Sequence, residues 1–208
     1  MPTTRAPRRD ATENRAALLA AARVELNLDA DATLDTIAVR AGLSRRAVYG
    51  HFATRDELLR ELITTGATRV ATAVSSVDHA DPVVRLALIA SRLWSEVENI
   101  RVMALFAVRG PLKGETAEAL APLRERVAAA IAQGGAAGSV RRDIPVARLA
   151  RLVEDAALTA LTESAREPIS GIEGHRLVML LVLGTVGMDA ASAAALIDGH
   201  PELTWTDR

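Results

Sequence analysis

Apolar residues recur every three or four positions over most of the chain, and no segment alternates strictly between apolar and polar residues. A period near 3.6 is typical of helices that bury one face. The pattern predicts helices over residues 10–28, 34–41, 45–52, 54–77, 83–99, 100–108, 115–133, 145–165 and 173–188. Ala, Leu and Val dominate the apolar positions, and Ala and Leu are strong helix formers. We therefore predict an all-α protein.

The second and third predicted helices have clear start and stop signals. Thr33 and Ser44 each precede a helix whose first amides a side-chain oxygen can cap. Gly42 separates the two helices, at a position where a left-handed backbone is usual. Thr54 and Glu57 have the spacing of a capping box for the helix that follows. Two capped helices around a glycine turn predict a helix-turn-helix, whose second helix enters the major groove of DNA.

Charge is distributed unevenly along a chain whose net charge is -1. Residues 1–55 carry nine arginines against six acids, and residues 36–55 carry no acid. Neutralising phosphates supplies much of the affinity of a protein for DNA, so this imbalance favours DNA binding over a helical hairpin with solvated arginines. The arginines of the acid-free segment are Arg40, Arg45, Arg46 and Arg55. The apolar residues expected to seal its inner side are Ile37, Leu43, Val48 and Phe52, with the small Ala38 at the helix crossing.

The same segment resembles the DNA-binding domain of the TetR family of bacterial transcriptional regulators. Arg46 and Ala47 stand where that family often has Gly and then a small hydroxyl residue. The resemblance covers roughly residues 1–65 and implies an N-terminal helix-turn-helix DNA-binding domain over 1–53. It also implies a C-terminal helical effector-binding and dimerisation domain over 54–208, whose long linking helix begins at 54. The matching residues are Ile37-Ala38, Ala41-Gly42-Leu43-Ser44, Tyr49-Gly50-His51-Phe52, Arg55 and Asp56-Glu57-Leu58-Leu59.

Seven residues in and around the second helix of the helix-turn-helix, predicted over 45–52, are candidate DNA contacts. Arg45 and Arg46 lie at its start, where an arginine can read a guanine edge or bind a phosphate. The resemblance favours a phosphate contact for Tyr49, the only tyrosine, over a half-buried core position. Capping alone would explain Thr33 and Ser44. The predicted DNA-binding residues are Thr33, Ser44, Arg45, Arg46, Tyr49, His51 and Arg55. The N-terminal tail contains three more arginines, for which contact with DNA and a solvated position are both open: Arg5, Arg8 and Arg9.

The segment from Glu173 to Met188 is apolar almost all round, which requires burial on all sides. The chain offers few neighbouring helices, so we expect part of this surface to meet a second copy; a purely intramolecular core is the alternative. The resemblance implies a four-helix interface between two copies, which holds their two DNA-binding domains (the heads) over half-sites about 34–36 Å apart. The predicted interface residues are Leu149, Val153, Ala156, Ala160, Leu177, Leu181, Gly184 and Met188.

The resemblance further implies a pocket for a small-molecule effector among the central helices, whose occupation changes the separation of the two heads. Ordinary core or surface placement is the alternative for every candidate. The predicted pocket residues are Trp94, Glu98, Met103, Phe106 and Asp155.

Several function classes are not supported by the sequence. The chain has no cysteine, which excludes disulfides and thiol catalysis and fits a cytoplasmic protein. Its four histidines fall in separate segments, and neither a phosphate-binding glycine loop nor a nucleophile elbow is present, so we predict no enzyme, metal or cofactor. The most apolar run, Leu177 to Met188, is shorter than the roughly 20 residues that cross a bilayer, so we predict no membrane association.

The resulting hypothesis is a DNA-binding transcriptional regulator. It would act as a repressor that binds a pseudo-palindromic operator in double-stranded DNA as a homodimer and is released by a small-molecule effector. The alternative is a helical ligand-binding dimer without operator-specific DNA binding.

Overall fold

The computed structural model describes residues 7–167 and 169–206, with side chains from residue 11 onward. Eleven α-helices and no strand lie in this part of the chain, so the all-α prediction is confirmed. In chain order the helices are α1 (Pro7–Leu28), α2 (Leu34–Ala41), α3 (Arg45–His51), α4 (Arg55–Ser75), α5 (Pro82–Val97), α6 (Arg101–Arg109), α7 (Lys113–Ala119), α8 (Ala121–Ala137), α9 (Val146–Arg166), α10 (Gly171–Thr185) and α11 (Ala190–Gly199).

Side-chain caps fix the ends of α2 and α3 as the sequence predicts. The hydroxyl of Thr33 accepts the amide N–H of Thr36 at 3.2 Å, and the hydroxyl of Ser44 accepts that of Ala47 at 3.2 Å. Gly42 has a φ of 67°, a left-handed conformation that a side chain would strain. The chain therefore turns sharply between two capped helices, and the predicted helix-turn-helix is confirmed.

The cap of α4 differs in part from the prediction. Thr54 accepts the amide N–H of Glu57 at 3.2 Å, as a capping box requires. The Glu57 carboxylate, however, accepts the amide of Ala53 at 2.8 Å. Only the first half of the predicted box is formed, and the acid caps the residue before the helix instead.

Buried apolar side chains form two clusters. The head cluster lies under the helix-turn-helix and is built from α1 to α4, with Met103 and Leu112 added from further along the chain. The body cluster is built mainly from α5, α8, α9 and α10, which pack on one another. Helix α4 belongs to both, because Ile63 lies in the head cluster and Val74 in the body cluster. The division into two domains at residue 54 stays a prediction.

One predicted helix start needs correction, and one predicted helix is divided in two. Helix α1 begins at Pro7 rather than Asp10. The predicted DNA contacts of Arg5, Arg8 and Arg9 fall outside the described side chains. The helix predicted over 115–133 is divided into α7 and α8. Pro122, which the sequence predicts either to kink this helix or to mark its true start, lies in the first turn of α8, where its missing N–H leaves no bond unmade, so the second alternative is confirmed.

Helix α8 also extends beyond residue 133, where the sequence predicts that it ends. It continues past Gly134 to Ala137 and ends at Gly138, whose φ is 79°. A β-carbon at Gly134 would overlap the side chain of Val140, so the glycine lets the following loop pack closely against the helix. Tertiary packing therefore outweighs the low helix propensity of glycine here.

The C-terminal segment after α10 packs against the rest of the chain as far as it is described. Asp189 caps α11 by accepting the amides of Ala191 and Ser192, both at 3.0 Å. Leu203, in a 3₁₀ turn after this helix, is 1 % exposed and belongs to the body cluster. Burial of apolar side chains fixes this segment as far as residue 206.

Helix α10 approaches α5 closely at one point. The indole N–H of Trp94 donates to the carbonyl of Gly171 at 2.9 Å. The ring lies over Gly174, where a β-carbon would overlap it. Within the described residues, no helix is long and apolar enough to span a membrane.

Candidate DNA-binding face and internal cavity

Helix α3 is the candidate reading helix, and its side chains divide into a buried and an exposed set. Val48 is fully buried in the head cluster. Arg45, Arg46 and Tyr49 are exposed, with Tyr49 45 % exposed, which is inconsistent with a core position. The spacing of these residues places two cations and a phenol on the solvent side of a helix that is seven residues long.

Two arginines of the acid-free segment are paired with acids from outside it. Arg45 Nε lies 3.1 Å from Asp35, and its guanidinium is 5.7 Å from the centre of the Tyr49 ring. The pKa of Arg45 is raised, first by its hydrogen bond to Tyr49 and then by the charge of Asp35. Arg40 forms an ion pair with Glu25 of α1. The local charge imbalance is therefore partly compensated once the chain folds.

Arg46 differs from its neighbours because no ion pair or hydrogen bond holds its side chain in the described part of the chain. It is exposed at the start of α3, where a side chain can reach a base edge. Of the four arginines between residues 36 and 55, Arg46 has the guanidinium most free to bind a new partner.

Arg55 has an internal role that the sequence did not indicate. Its Nε donates to the carbonyl of Ala32 at 2.9 Å, and one terminal nitrogen donates to the carbonyl of Ala30. These bonds tie the start of α4 to the loop before α2. The predicted phosphate contact of Arg55 stays a prediction, and a guanidinium so engaged is better placed to hold the loop than to reach outward.

The remaining candidate DNA contacts lie at helix ends. Thr33 and Ser44 are exposed, and the side-chain oxygen of each already caps a helix. The hydroxyl of Thr33 also lies 2.9 Å from the hydroxyl of Thr36. His51 ends α3 and is partly buried. Their contacts with DNA stay predictions, while the capping roles are observed.

Sequence reasoning missed two residues of this region. Arg15 of α1 donates from Nε to Glu61 at 2.9 Å and from Nη1 to the carbonyl of His51 at 3.0 Å, with its guanidinium 4.3 Å from the centre of the Phe52 ring. It therefore joins α1, the end of α3 and α4, and no short-range pattern pairs residues so distant. Val39 on α2 is 81 % exposed. The residues just before it occupy inward positions of the helix, so the helical pattern could have indicated that Val39 faces outward.

A cavity of about 400 Å³ is lined by members of both apolar clusters. This volume lies within the range of roughly 300–1,000 Å³ that is usual for small-molecule sites. Leu19, Ala20 and Arg23 of α1 form part of its wall, together with one side of α4. A molecule inside would therefore contact the helices of the head and of the body at the same time.

The structure brings together only part of the predicted pocket. Trp94 and Met103 line the cavity. Glu98, Phe106 and Asp155 do not line it, and their role in an effector pocket stays a prediction. Asp155 is exposed. The carboxylate of α9 that lines the cavity belongs to the preceding residue, Glu154. Phe106 packs against the head cluster, and Glu98 lies beside Gly171 in the turn after α5.

The predicted dimer interface also divides into two sets. Leu149 and Ala160 are fully buried within their own chain and Val153 is 5 % exposed, so these three residues offer little surface to a second copy, and their interface role stays a prediction. The others are exposed or partly buried and leave a surface of small and apolar side chains on α9, on α10 and in the turn after α10. These residues are Ala156, Leu177, Leu181, Gly184 and Met188.

Comparison with known proteins agrees with this arrangement. Residues 18–62 match the family model described as bacterial regulatory proteins, tetR family. No curated protein matches the chain in sequence. The fold is shared with the fatty acid degradation regulator FadR of Bacillus halodurans, at 14% identity and a TM-score of 0.71 over 90% of this chain and 100% of that one.

Two other solved structures have the same fold. SmeT, the repressor of the Stenotrophomonas maltophilia multidrug efflux pump SmeDEF, is 23% identical, with a TM-score of 0.65 over 82% of this chain and 87% of that one. The regulator LfrR of Mycobacterium smegmatis, solved in complex with proflavine, is 18% identical, with a TM-score of 0.65 over 85% and 96%. At these identities the likeness shows the fold.

The family model and the observed fold agree about the kind of protein. The matched segment contains the capped helix-turn-helix and its exposed arginines, and the described remainder of the chain has the helical architecture of the solved regulators. Regulators of this family are transcription factors rather than enzymes. Over residues 18–62 the chain is therefore similar to bacterial regulatory proteins of the tetR family, and its described residues share the fold of the solved regulators.

Proposed function

We propose that this protein is a transcriptional repressor of the TetR family that binds a pseudo-palindromic operator as a homodimer and is released by a small, largely apolar effector. The observation that carries the proposal is the shared cavity, whose wall includes α1 and α4 of the head as well as helices of the body. An effector there would bind one arrangement of head and body better than another, which is the requirement for a ligand to shift the equilibrium.

The DNA-binding part of the proposal rests on the exposed side of α3. Arg46 is the candidate base-reading residue, because it is exposed and unengaged. Tyr49 is the candidate phosphate contact. Arg45 would add a second cation once it exchanges Asp35 for a phosphate, whereas Thr33, Ser44, His51 and Arg55 would contribute mainly by holding the reading helix in position.

The dimer part rests on the outward surface of α9, of α10 and of the turn after α10. Leu177, Leu181 and Met188 keep apolar surface toward solvent, and Gly184 is open enough for another helix to approach. Covering this surface with the same surface of a second copy would bury it without exposing polar backbone. Two heads joined in this way would meet half-sites about 34–36 Å apart.

The effector part is supported by the lining, which is mostly aliphatic. The similar structures include one solved with proflavine and one described as the repressor of a multidrug efflux pump, so apolar or aromatic effectors suit this fold. We further propose that the two functional units divide near residue 54 and that the protein acts in the cytoplasm, where its DNA target would be found.

The test is binding of the purified protein to duplexes selected from a random pool, at several salt concentrations. A repressor of this kind should retain inverted repeats and lose affinity steeply as salt rises. Size measurement by light scattering should give a dimer, and Leu181→Glu should give a monomer that binds DNA weakly. A dimer that retains no DNA would instead support a helical ligand-binding protein without an operator.

A further inference from the structure

We propose that the cavity takes an apolar molecule ending in a carboxylate, and that Arg23 of α1 binds this carboxylate. The inference rests on the proposed effector role of the cavity and specifies the chemistry of its ligand. It starts from the four charged residues in the cavity wall, which are three arginines and one glutamate: Arg23, Arg69, Arg124 and Glu154.

Three of these charges are already matched. Arg124 donates to both carboxylate oxygens of Glu154, at 3.0 and 3.3 Å. Arg69 lies 3.6 Å from Glu96, which also pairs with Arg92 at 3.3 Å. The only acid in the wall is thus occupied by an arginine, and a cationic ligand would have to displace it.

Arg23 is the charged residue of the wall that remains unmatched. No ion pair or hydrogen bond engages its guanidinium among the described residues, and its side chain is exposed to solvent at the α1 side of the cavity. An arginine offers a planar pair of donors that fits a carboxylate. An anion at this point would therefore gain a partner without breaking an existing pair.

The rest of the wall offers few polar groups to a ligand. The hydroxyl of Thr116 donates to the carbonyl of Ala107 at 2.8 Å, so its proton is already used. Apart from the charged residues and a second threonine, Thr65, the lining side chains are apolar. At about 30 Å³ for each water-sized group, 400 Å³ has room for a chain of about a dozen such groups. A medium-length aliphatic carboxylate meets both requirements.

The experiment compares three probes of equal chain length, decanoate, decan-1-ol and decylamine, on the full chain near neutral pH. Binding is followed by Trp94 fluorescence in a Trp205→Phe background, because Trp94 lines the cavity and Trp205 does not. We expect decanoate to bind about tenfold more tightly than decanol, and decylamine to bind most weakly, since an exposed charged hydrogen bond contributes modestly.

Variants of Arg23 make the test specific. Arg23→Gln should remove the preference for decanoate and leave the affinity for decanol unchanged, whereas Arg23→Lys should retain part of it. Arg142→Gln, which removes an exposed arginine outside the cavity wall, should change neither.

Two results would overturn the inference while sparing the effector cavity: equal binding of decanoate and decanol, or a preference for decanoate that survives in Arg23→Gln. If none of the three probes changes Trp94 fluorescence in a saturable way, the effector role of the cavity fails with it.

Discussion

Replacing Gly174 with alanine should destabilise the protein, although alanine is the better helix former by about 1 kcal/mol. The added methyl would overlap the ring of Trp94, which is 2 % exposed and held by its bond to the carbonyl of Gly171 at 2.9 Å. Overpacking of this kind costs about 1–3 kcal/mol, and loss of the indole hydrogen bond about 0.5–1.5 kcal/mol more. We expect a net loss of about 1–3 kcal/mol in the free energy of unfolding.

Urea unfolding followed by circular dichroism, at matched protein concentration, measures this change. Gly66→Ala in α4 is the control, because a β-carbon there meets nothing within 4 Å. It should stabilise the protein by up to about 1 kcal/mol. If Gly174→Ala proved as stable as Gly66→Ala, the close approach of α10 to Trp94 would not exist in solution, and the packing argument would be wrong.

Three further predictions concern the reading helix and the body. Arg46→Ala should alter which DNA sequences are bound, whereas Tyr49→Phe should weaken binding to all sequences alike. Selection of bound duplexes from a random pool separates the two outcomes. Equal losses of affinity for all sequences in both variants would refute base reading by Arg46. Arg15→Gln should weaken DNA binding severalfold in anisotropy titrations, because it removes the bonds to Glu61 and to the end of α3, and it should leave the helix content unchanged. Unchanged affinity would show that this contact does not position α3. Burial lowers the pKa of His175, whose Nε2 lies 2.7 Å from a serine hydroxyl, so the fold favours the neutral ring. Stability should therefore be complete above the ordinary histidine pKa of 6.5 and fall as the pH decreases below it, and His175→Gln should lack this fall in urea midpoints.

The sequence predicted the head well because its signals are local. A threonine or serine caps the amides within its own next turn, and Gly42 acts on its own backbone. Each such signal can be read within four residues. The resemblance then supplied the order of the remaining parts, and the family model matched the same segment.

Sequence reasoning did not anticipate the contacts in the candidate site between residues that are distant along the chain. Arg55 bonds carbonyls more than twenty residues earlier, and Arg15 meets a glutamate 46 residues later. An acid-free stretch gives no sign that Asp35 and Glu25 will fold back onto its arginines.

Helix orientation limited the pocket and interface predictions. Asp155 and Glu154 differ by one residue, yet only Glu154 lines the cavity, because successive residues on a helix point about 100° apart. Leu149, Val153 and Ala160 lie on the buried side of α9, and the sequence alone cannot say whether an apolar side faces its own chain or a second copy. That choice depends on how the helices pack.

DNA reading by α3 in a dimer can be tested by a single selection experiment. The purified full chain, without effector, is mixed at low ionic strength with a random pool of duplexes, and the retained DNA is sequenced. We expect an inverted repeat with half-sites one helical turn or a multiple of it apart, and retention that falls steeply as salt is added. Failure to retain DNA of any sequence at low ionic strength would contradict DNA reading by α3.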